Sequence, residues 1–153
     1  MKNGRIHETD AANLKQLGEF IENTFKYNLV DEAGITSIPP LDRWEKEPTV
    51  LRNDDYETYF MNEAGTNKLM IKINWIEKKK LNYLVLKETI PFSQRVEKFK
   101  VCYEENGSMK ECYNGTTIGY KKIIDLKGIQ TDFLAIVIED SRVAPVMSFV
   151  GVY

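Results

Sequence analysis

The sequence predicts a mainly β domain: a two-sheet antiparallel sandwich preceded by one N-terminal amphipathic helix. Three observations support this fold class. Apolar and polar residues alternate in several short segments, as they do in half-buried β-strands. Gly-containing turn signals, two of them Asn-Gly pairs, separate these segments at short intervals. Near the N-terminus the apolar residues instead recur every three or four positions, which indicates a helix.

Length and composition restrict the function classes. The chain has 153 residues, a length typical of one domain, and its hydrophobic content of 42% is ordinary for a globular protein. A formal net charge of −2 gives no basic surface for nucleic acid. No apolar run approaches the ~20 residues of a membrane span, and the first residues show no signal-peptide pattern. We therefore expect neither a nucleic-acid nor a membrane partner, and the compartment is undetermined.

The predicted helix runs from Ala11 to about Phe25, after a loop over residues 1–8. Thr9 or a neighbour is the expected N-cap, and Asp10 favours the first turn. The spacing of the apolar residues predicts a single stripe along this helix. The stripe consists of Ala11, Leu14, Leu17, Ile21 and Phe25.

Residues 28–49 are predicted to form an irregular connector. Gly34, the Pro39-Pro40 pair and Pro48 discourage regular structure there. Trp44 is the large aromatic residue of this segment. It can cover one end of the sandwich or serve as a platform for a sugar, and covering is the simpler interpretation.

The predicted strands follow the connector. Residues 69–75 alternate strictly between apolar and polar, and residues 81–90 are more continuously apolar, which suggests a central strand. A strand from Val96 leads to a tight hairpin at Asn106-Gly107, and a second Asn-Gly turn is expected at residues 114–115. With no helix between them, these pieces predict an antiparallel meander. Further strands are expected at 118–126, 133–138 and 146–152.

Cys102 and Cys112 lie on the two arms of the predicted hairpin. A two-residue loop points the thiols to opposite faces, whereas a three-residue loop with a bulge places them opposite each other. Separate thiols and a cross-strand disulfide are therefore both open. Neither cysteine has metal-ligand spacing.

Several sequence pieces occur together in one known family. They read QRVEKFKV, NGSMKE and GTTIGYKK within residues 94–122, NDDYETYF at 53–60, LNYLVLKETI at 81–90 and DSRVAPVMSFVGVY at 140–153. In this order they resemble the C-terminal β-sandwich of bacterial alpha-L-fucosidases of glycoside hydrolase family 29, which is galactose-binding-like. The segment GRIHETDAANLKQLGEFIENTF similarly resembles the last helical stretch of the catalytic barrel. The resemblance implies a helix left over from the barrel at 1–27, the connector at 28–49 and a sandwich domain at 50–153.

The resemblance also implies a function. The parent enzyme would hydrolyse terminal alpha-L-fucose from glycans by a retaining mechanism, with its nucleophile on a barrel of roughly 200 residues or more. No motif here matches that nucleophile, so no catalytic residue can be assigned. His7 is the single histidine, which excludes a histidine-based metal cluster. We expect a non-catalytic accessory domain that packs on its own catalytic domain and stabilises it, and an unpartnered helix stripe could drive self-association.

Some relatives in this wider fold group hold a structural calcium ion in the loop that corresponds to residues 51–60. The resemblance therefore implies Asn53, Asp55 and Thr58 as calcium ligands. Calcium needs six to eight oxygen ligands, and Asn53 stands where an acid is usual. A self-capped turn built on Asp55 is the alternative.

The alternative function is a carbohydrate-binding module that binds glycans through loop aromatics. Its candidate residues are Trp44, Tyr56, Tyr120 and Arg142, because exposed rings stack on sugars and a guanidinium donates hydrogen bonds. Tyr120 can also be a core residue, and Arg142 can pair with Asp140 or Glu139. Arg95 is expected to bind backbone carbonyl groups rather than a ligand.

Overall fold

The computed structural model describes residues 7–39, 47–55, 57–62 and 65–153. This part of the chain contains one α-helix, seven β-strands and short 3₁₀ turns. The helix is α1 (Glu8–Thr24), and the strands are β1 (Gly34–Ile38), β2 (Phe60–Met61), β3 (Leu69–Glu88), β4 (Val96–Glu105), β5 (Ser108–Gly115), β6 (Lys122–Ser141) and β7 (Val146–Val152).

The two longest strands organise the fold. β3 and β6 have 20 residues each and pair antiparallel over most of their length. Residues 75–78 of β3 lie opposite Asp132 alone in β6, because Asn74 pairs with Phe133 and Lys79 pairs with Thr131. We call the paired strands β3 and β6 the ribbon. A bulge of this size bends the ribbon and places its two halves in different layers.

Each half of the ribbon recruits different neighbours. The five-stranded layer has the order β1-β3-β6-β4-β5 and uses the first half of β3 and the second half of β6. The four-stranded layer has the order β6-β3-β7-β2 and uses the other two halves. Continuous hydrogen bonding through the ribbon joins both layers into one seven-stranded antiparallel sheet. The predicted mainly β fold is confirmed.

One hydrophobic core lies between the layers. The alternation predicted at residues 69–75 is confirmed, since Leu69, Ile71, Ile73 and Trp75 are buried. The largest fully buried side chains include two phenylalanines, Phe60 and Phe99. Residues from both layers belong to this single cluster, so neither layer has a separate core.

Residues 34–38 form strand β1 within the predicted connector 28–49. They pair with the first half of β3 and alternate between exposed and buried. Trp75 Nε1 donates a hydrogen bond to the Leu29 carbonyl oxygen (2.8 Å), which anchors the preceding turn. Three apolar side chains of this region join the core: Val30, Ala33 and Ile35. The prediction of an irregular connector does not hold here, because five residues between Gly34 and Pro39 are too short to show a clear period.

The hairpin between β4 and β5 is confirmed. Asn106 and Gly107 both have positive φ (54° and 75°), as a tight two-residue hairpin turn requires. The second expected turn, at Asn114-Gly115, is wrong, because both residues pair with β4. Gly115 is needed instead for close packing, since a Cβ there would lie 2.8 Å from the Phe99 ring.

The predicted meander is also wrong. After β5 the chain does not continue beside β5, since β6 lies on the opposite side of β4. β5 is mostly exposed, so it offers few apolar side chains to another strand and forms an edge of the sheet. β6 is much more buried and occupies the central position.

Cys102 and Cys112 are separate thiols. A register shift after Val101 leaves Cys102 opposite Glu111 and places Cys112 in the resulting bulge. Cys112 packs against the core, its thiol hydrogen donates to the Val101 carbonyl oxygen, and burial raises the pKa of Cys112 to about 11. Such a thiol is a poor nucleophile.

Helix α1 projects from the sandwich. It begins earlier than predicted, at Glu8, because the His7 side chain accepts a hydrogen bond from the Thr9 N–H and caps it. Among the described residues, the side chains of α1 are all at least partly exposed. The junction is aromatic: the Phe25 ring lies 4.9 Å from the Tyr153 ring and 5.6 Å from the Tyr83 ring. No helix in the described part has both the length and the apolar character needed to cross a membrane.

Candidate functional site

Most of the described candidate residues gather at one end of the sandwich, where β3 ends. We call this the loop end and define it as residues 57–59, 89–95, 116–121 and 142–145. The aromatic junction of α1 lies at the opposite end of the four-stranded layer, because Tyr83 and Glu88 stand near opposite ends of the same half of β3.

A buried carboxylate holds the loop end together. Glu88 is only 2% exposed. Its Oε1 accepts hydrogen bonds from the N–H groups of Arg95 (2.7 Å) and Val96 (2.9 Å), and its Oε2 accepts one from Gly119 (2.6 Å). Glu88 therefore joins two loops that are far apart in sequence.

Arg95 adds a second clamp. Its Nε donates to the Phe92 carbonyl oxygen (2.9 Å) and its Nη1 to the Ala144 carbonyl oxygen (2.7 Å). Its own carbonyl oxygen accepts from the Arg142 N–H (3.0 Å). The prediction that Arg95 binds backbone carbonyls is confirmed.

Two of the four sugar-binding candidates adjoin these clamps. Tyr120 follows Gly119, which Glu88 holds, and Arg142 is held through Arg95. Tyr120 is 57% exposed, so it is not a core residue. Arg142 pairs with Glu97 through Nε (2.7 Å), which answers the question of its acid partner. The other two candidates, Trp44 and Tyr56, lie outside the described residues.

The loop end also exposes apolar side chains. The Tyr59 and Phe92 rings pack edge to face with centres 5.0 Å apart, so Tyr59 is half-buried. Ile90, Phe92 and Val143 expose large apolar surface. A partly apolar surface therefore sits on a rigidly held frame.

The predicted calcium loop adopts the self-capped turn. Asp55 Oδ1 accepts hydrogen bonds from the Glu57 N–H (3.0 Å), the Thr58 N–H (2.6 Å) and the Thr58 hydroxyl (2.7 Å). The neighbouring Asp54 pairs with Lys87. Calcium binding by Asn53, Asp55 and Thr58 stays a prediction, since calcium needs six to eight oxygens in total. The described residues also contain no group of three His, Cys, Asp or Glu side chains suited to a metal ion.

This turn predicts a pH effect. Hydrogen bonds from the backbone and then the side chain of Thr58 hold the pKa of Asp55 below its usual value. Because the folded pKa is depressed, the turn's contribution to stability is present above the unfolded pKa and is lost as pH falls through the folded one. In a carbon-detected NMR titration, Thr58→Val should move the Asp55 pKa upward. An unchanged pKa would contradict the turn, and Thr49→Val serves as the control.

The loop end offers groups that can contact a ligand. Glu88 is the buried carboxylate there, and backbone N–H groups occupy both of its oxygens. Exposed residues of the loop end include Tyr120, Arg142 and Val143, which supply an aromatic ring, a guanidinium and an aliphatic side chain. Sequence reasoning missed Glu88, because an acid after the apolar run 81–86 is normally read as the solvent-exposed end of a strand.

Comparisons with known proteins give a consistent family. No family model matches the chain. A protein of Oryza sativa subsp. japonica assigned as alpha-L-fucosidase 1 is 26% identical over 98% of this chain and 30% of its own length. A Bacteroides thetaiotaomicron structure assigned as an alpha-L-fucosidase is 25% identical with a TM-score of 0.90, over 98% of this chain and 33% of its own. A GH29 fucosidase of Ruminococcus gnavus is 25% identical with a TM-score of 0.85, over 98% of this chain and 31% of its own.

A more distant structure shares only the fold. It is chitosan-binding module 1 of a chitosanase/glucanase from Paenibacillus sp. IK-5, at 13% identity and a TM-score of 0.71. The match covers 83% of this chain and 98% of that module. The number of residues of this chain that the match does not cover is of the order of the length of α1.

The fucosidase matches have one feature in common. Each covers nearly all of this chain but only about a third of the relative, so the chain spans one domain of those longer proteins. The matched third is the β-rich C-terminal portion. The chain is therefore a relative of the C-terminal domain of glycoside hydrolase family 29 alpha-L-fucosidases.

Proposed function

We propose that this chain acts as the non-catalytic accessory domain of an alpha-L-fucosidase and packs on the catalytic domain through α1. The parent enzyme would hydrolyse terminal alpha-L-fucose from glycans. The observation that carries the proposal is the unpartnered apolar stripe of α1. Four large apolar side chains on this helix are 47–57% exposed: Leu14, Leu17, Phe20 and Ile21.

A helix in this state needs a partner. It has 17 residues, and the Phe25 ring contacts with the sandwich lie at its C-terminal end. Most of the stability of a helix in a protein comes from packing its apolar face rather than from helix propensity. Leu17 follows Leu14 by three residues, and Phe20 and Ile21 follow Leu17 by three and four, so the four side chains form one stripe. Burying that stripe against another surface would supply the missing stabilisation.

The relatives support a specific partner. The match to the Bacteroides thetaiotaomicron structure includes α1, because it covers 98% of this chain at a TM-score of 0.90. The helix therefore has a similar pose in a chain that is about three times longer. The remaining two-thirds of that relative supports a catalytic domain as the partner that covers the apolar stripe.

The test is a chimera in which this chain replaces the matching third of the Bacteroides thetaiotaomicron protein. Leu17→Glu with Ile21→Glu should weaken docking by roughly 3–6 kcal/mol, since each buried aliphatic side chain contributes about 1.5–3 kcal/mol. We expect a lower Tm and a loss of hydrolysis of an aryl fucoside. Lys15→Gln with Glu22→Gln, on the polar face of α1, should change neither.

The same variants in this chain alone separate docking from folding. Because the stripe is exposed, Leu17→Glu with Ile21→Glu should leave the Tm of the isolated chain within about 2 °C, as usual for surface substitutions. A chimera insensitive to both substitutions would overturn the docking surface. Cleavage of the aryl fucoside by this chain alone would overturn the non-catalytic role.

Glycan binding at the loop end is the second candidate. The exposed Tyr120 ring on loops fixed by Glu88 favours it, and a chitosan-binding module with this fold shows that the fold can stand alone. NMR titration with L-fucose, galactose and a fucosylated oligosaccharide, with and without calcium, tests it. Saturable shifts at Tyr120 and Arg142 would support binding, and silence at millimolar sugar would reject it.

A further inference from the structure

We propose that the outer face of the five-stranded layer binds an acidic oligosaccharide, one that carries carboxylate or sulfate groups. The site is a shallow trough of about 830 Å³, within the size range of ligand sites. None of its lining residues belongs to α1 or to the loop end. It is lined by parts of β1, β3, β4 and β6 together with Thr66 and Pro39.

The floor of the trough contains an apolar row. Ile38, Met70 and Val137 stand directly opposite one another on β1, β3 and β6. The next row along the same face holds Thr36 and Lys72 instead. Ile38 is 47% exposed, so the row is open to solvent and can accept the C–H face of a sugar ring.

Two lysines at the trough are not neutralised by any acid among the described residues. Lys68, which immediately precedes β3, lines the trough, and Lys72 lies in the adjacent row of the same sheet face as Met70. Neither lysine forms an ion pair with any described residue. Two acids line the trough, but both are engaged. Glu139 pairs with two lysines, Lys98 (3.0 Å) and Lys100 (2.8 Å), and Asp140 accepts from the Asn67 amide (3.2 Å).

The ionised state of Glu139 completes the pattern. Hydrogen bonds from Lys100 and then Lys98 hold the pKa of Glu139 below its usual value, so it stays an acceptor. Its remaining lone pairs, and those of Asp140, can accept bonds from ligand hydroxyl groups. The free ammonium groups of Lys68 and Lys72 can bind anionic groups of the same ligand.

These groups favour a saccharide over an acidic peptide. An extended peptide gains affinity mainly by adding its backbone to a free sheet edge. The trough lies on the face of the sheet, where β3 and β6 each already pair with a strand on both sides. Only a ligand with many hydroxyl groups can use the acidic acceptors and the lysines together.

The experiment measures binding of a chondroitin sulfate tetrasaccharide to the whole chain by calorimetry and NMR. We expect saturable binding, shifts within residues 68–72 and 137–140, and about tenfold weaker affinity in 200 mM than in 20 mM NaCl because salt screens ionic contacts. Lys68→Gln with Lys72→Gln should lower the affinity at least tenfold. Lys78→Gln with Lys26→Gln removes the same charge elsewhere and should leave the affinity unchanged.

Further probes make each outcome decisive. Met70→Glu, which puts a charge into the apolar floor, should abolish binding while thermal unfolding reports whether the chain still folds. Neutral maltotetraose should not bind. Equal affinity for hexaglutamate, no loss in the Lys68 and Lys72 variant, or shifts at the loop end instead would each overturn the proposal. Because no catalytic domain is involved, failure here leaves the docking proposal intact.

Discussion

Glu88→Ala is expected to lower the free energy of unfolding by about 3–5 kcal/mol, because three buried backbone N–H groups lose a charged acceptor. The donors belong to Arg95, Val96 and Gly119, at distances of 2.6–2.9 Å. Each unsatisfied buried donor costs about 1–3 kcal/mol, and local relaxation reduces the sum. Denaturant unfolding followed by tryptophan fluorescence measures the change.

Two further variants identify the cause. Glu88→Gln keeps one carbonyl oxygen, so it should lose less stability than Glu88→Ala. Glu97→Gln removes an acid that is partly exposed and pairs with Arg142, so its effect should stay below about 1 kcal/mol. Equal losses for Glu88→Ala and Glu97→Gln would show that the buried carboxylate does not hold the loops together.

Gly151→Ala is expected to destabilise the four-stranded layer by about 1–3 kcal/mol, the usual cost of overpacking. A Cβ at this position would lie 2.8 Å from atoms of both the Phe149 and Tyr153 rings. The two rings cover the glycine, so at least one would have to move. Tyr153 also contacts Phe25, and its displacement would loosen the junction with α1. Thermal unfolding and the NMR signals of Phe25 report the two effects.

Gly18→Ala is the matched control. No atom lies within 4 Å of a Cβ at Gly18, and alanine is the better helix former by about 0.5–1 kcal/mol. We expect unchanged or increased helicity by circular dichroism and no loss of sandwich stability. A similar loss for both glycine variants would mean that close ring packing is not what Gly151 provides.

Local sequence patterns predicted the structure correctly where the conformation of a segment depends on that segment alone. The alternation at residues 69–75 and the Asn106-Gly107 turn both appear in the structure, because side-chain direction and backbone φ are local properties. The role of Arg95 was also predicted correctly. The Asn114-Gly115 pair shows the limit, since the same dipeptide serves close packing over Phe99 rather than a turn.

Partners distant in sequence could not be predicted. Glu88 accepts hydrogen bonds from the N–H groups of residues that lie 7 to 31 positions away in the sequence. Only the folded chain brings these groups together. β1 was missed because its five residues gain their order from pairing with β3. The acid partner of Arg142 is Glu97 on β4, whereas sequence proximity had suggested Asp140 or Glu139.

The bent β3–β6 ribbon has a consequence for how the protein forms during synthesis. β3 emerges long before β6. β7 is the last of the described strands in the sequence, and it pairs with both β2 and β3. Loops must therefore close over long stretches of chain before either layer gains its central pairings, which slows folding. The apolar face of β3 stays uncovered in the meantime, so a nascent chain depends on its lysine-rich outer face to resist aggregation.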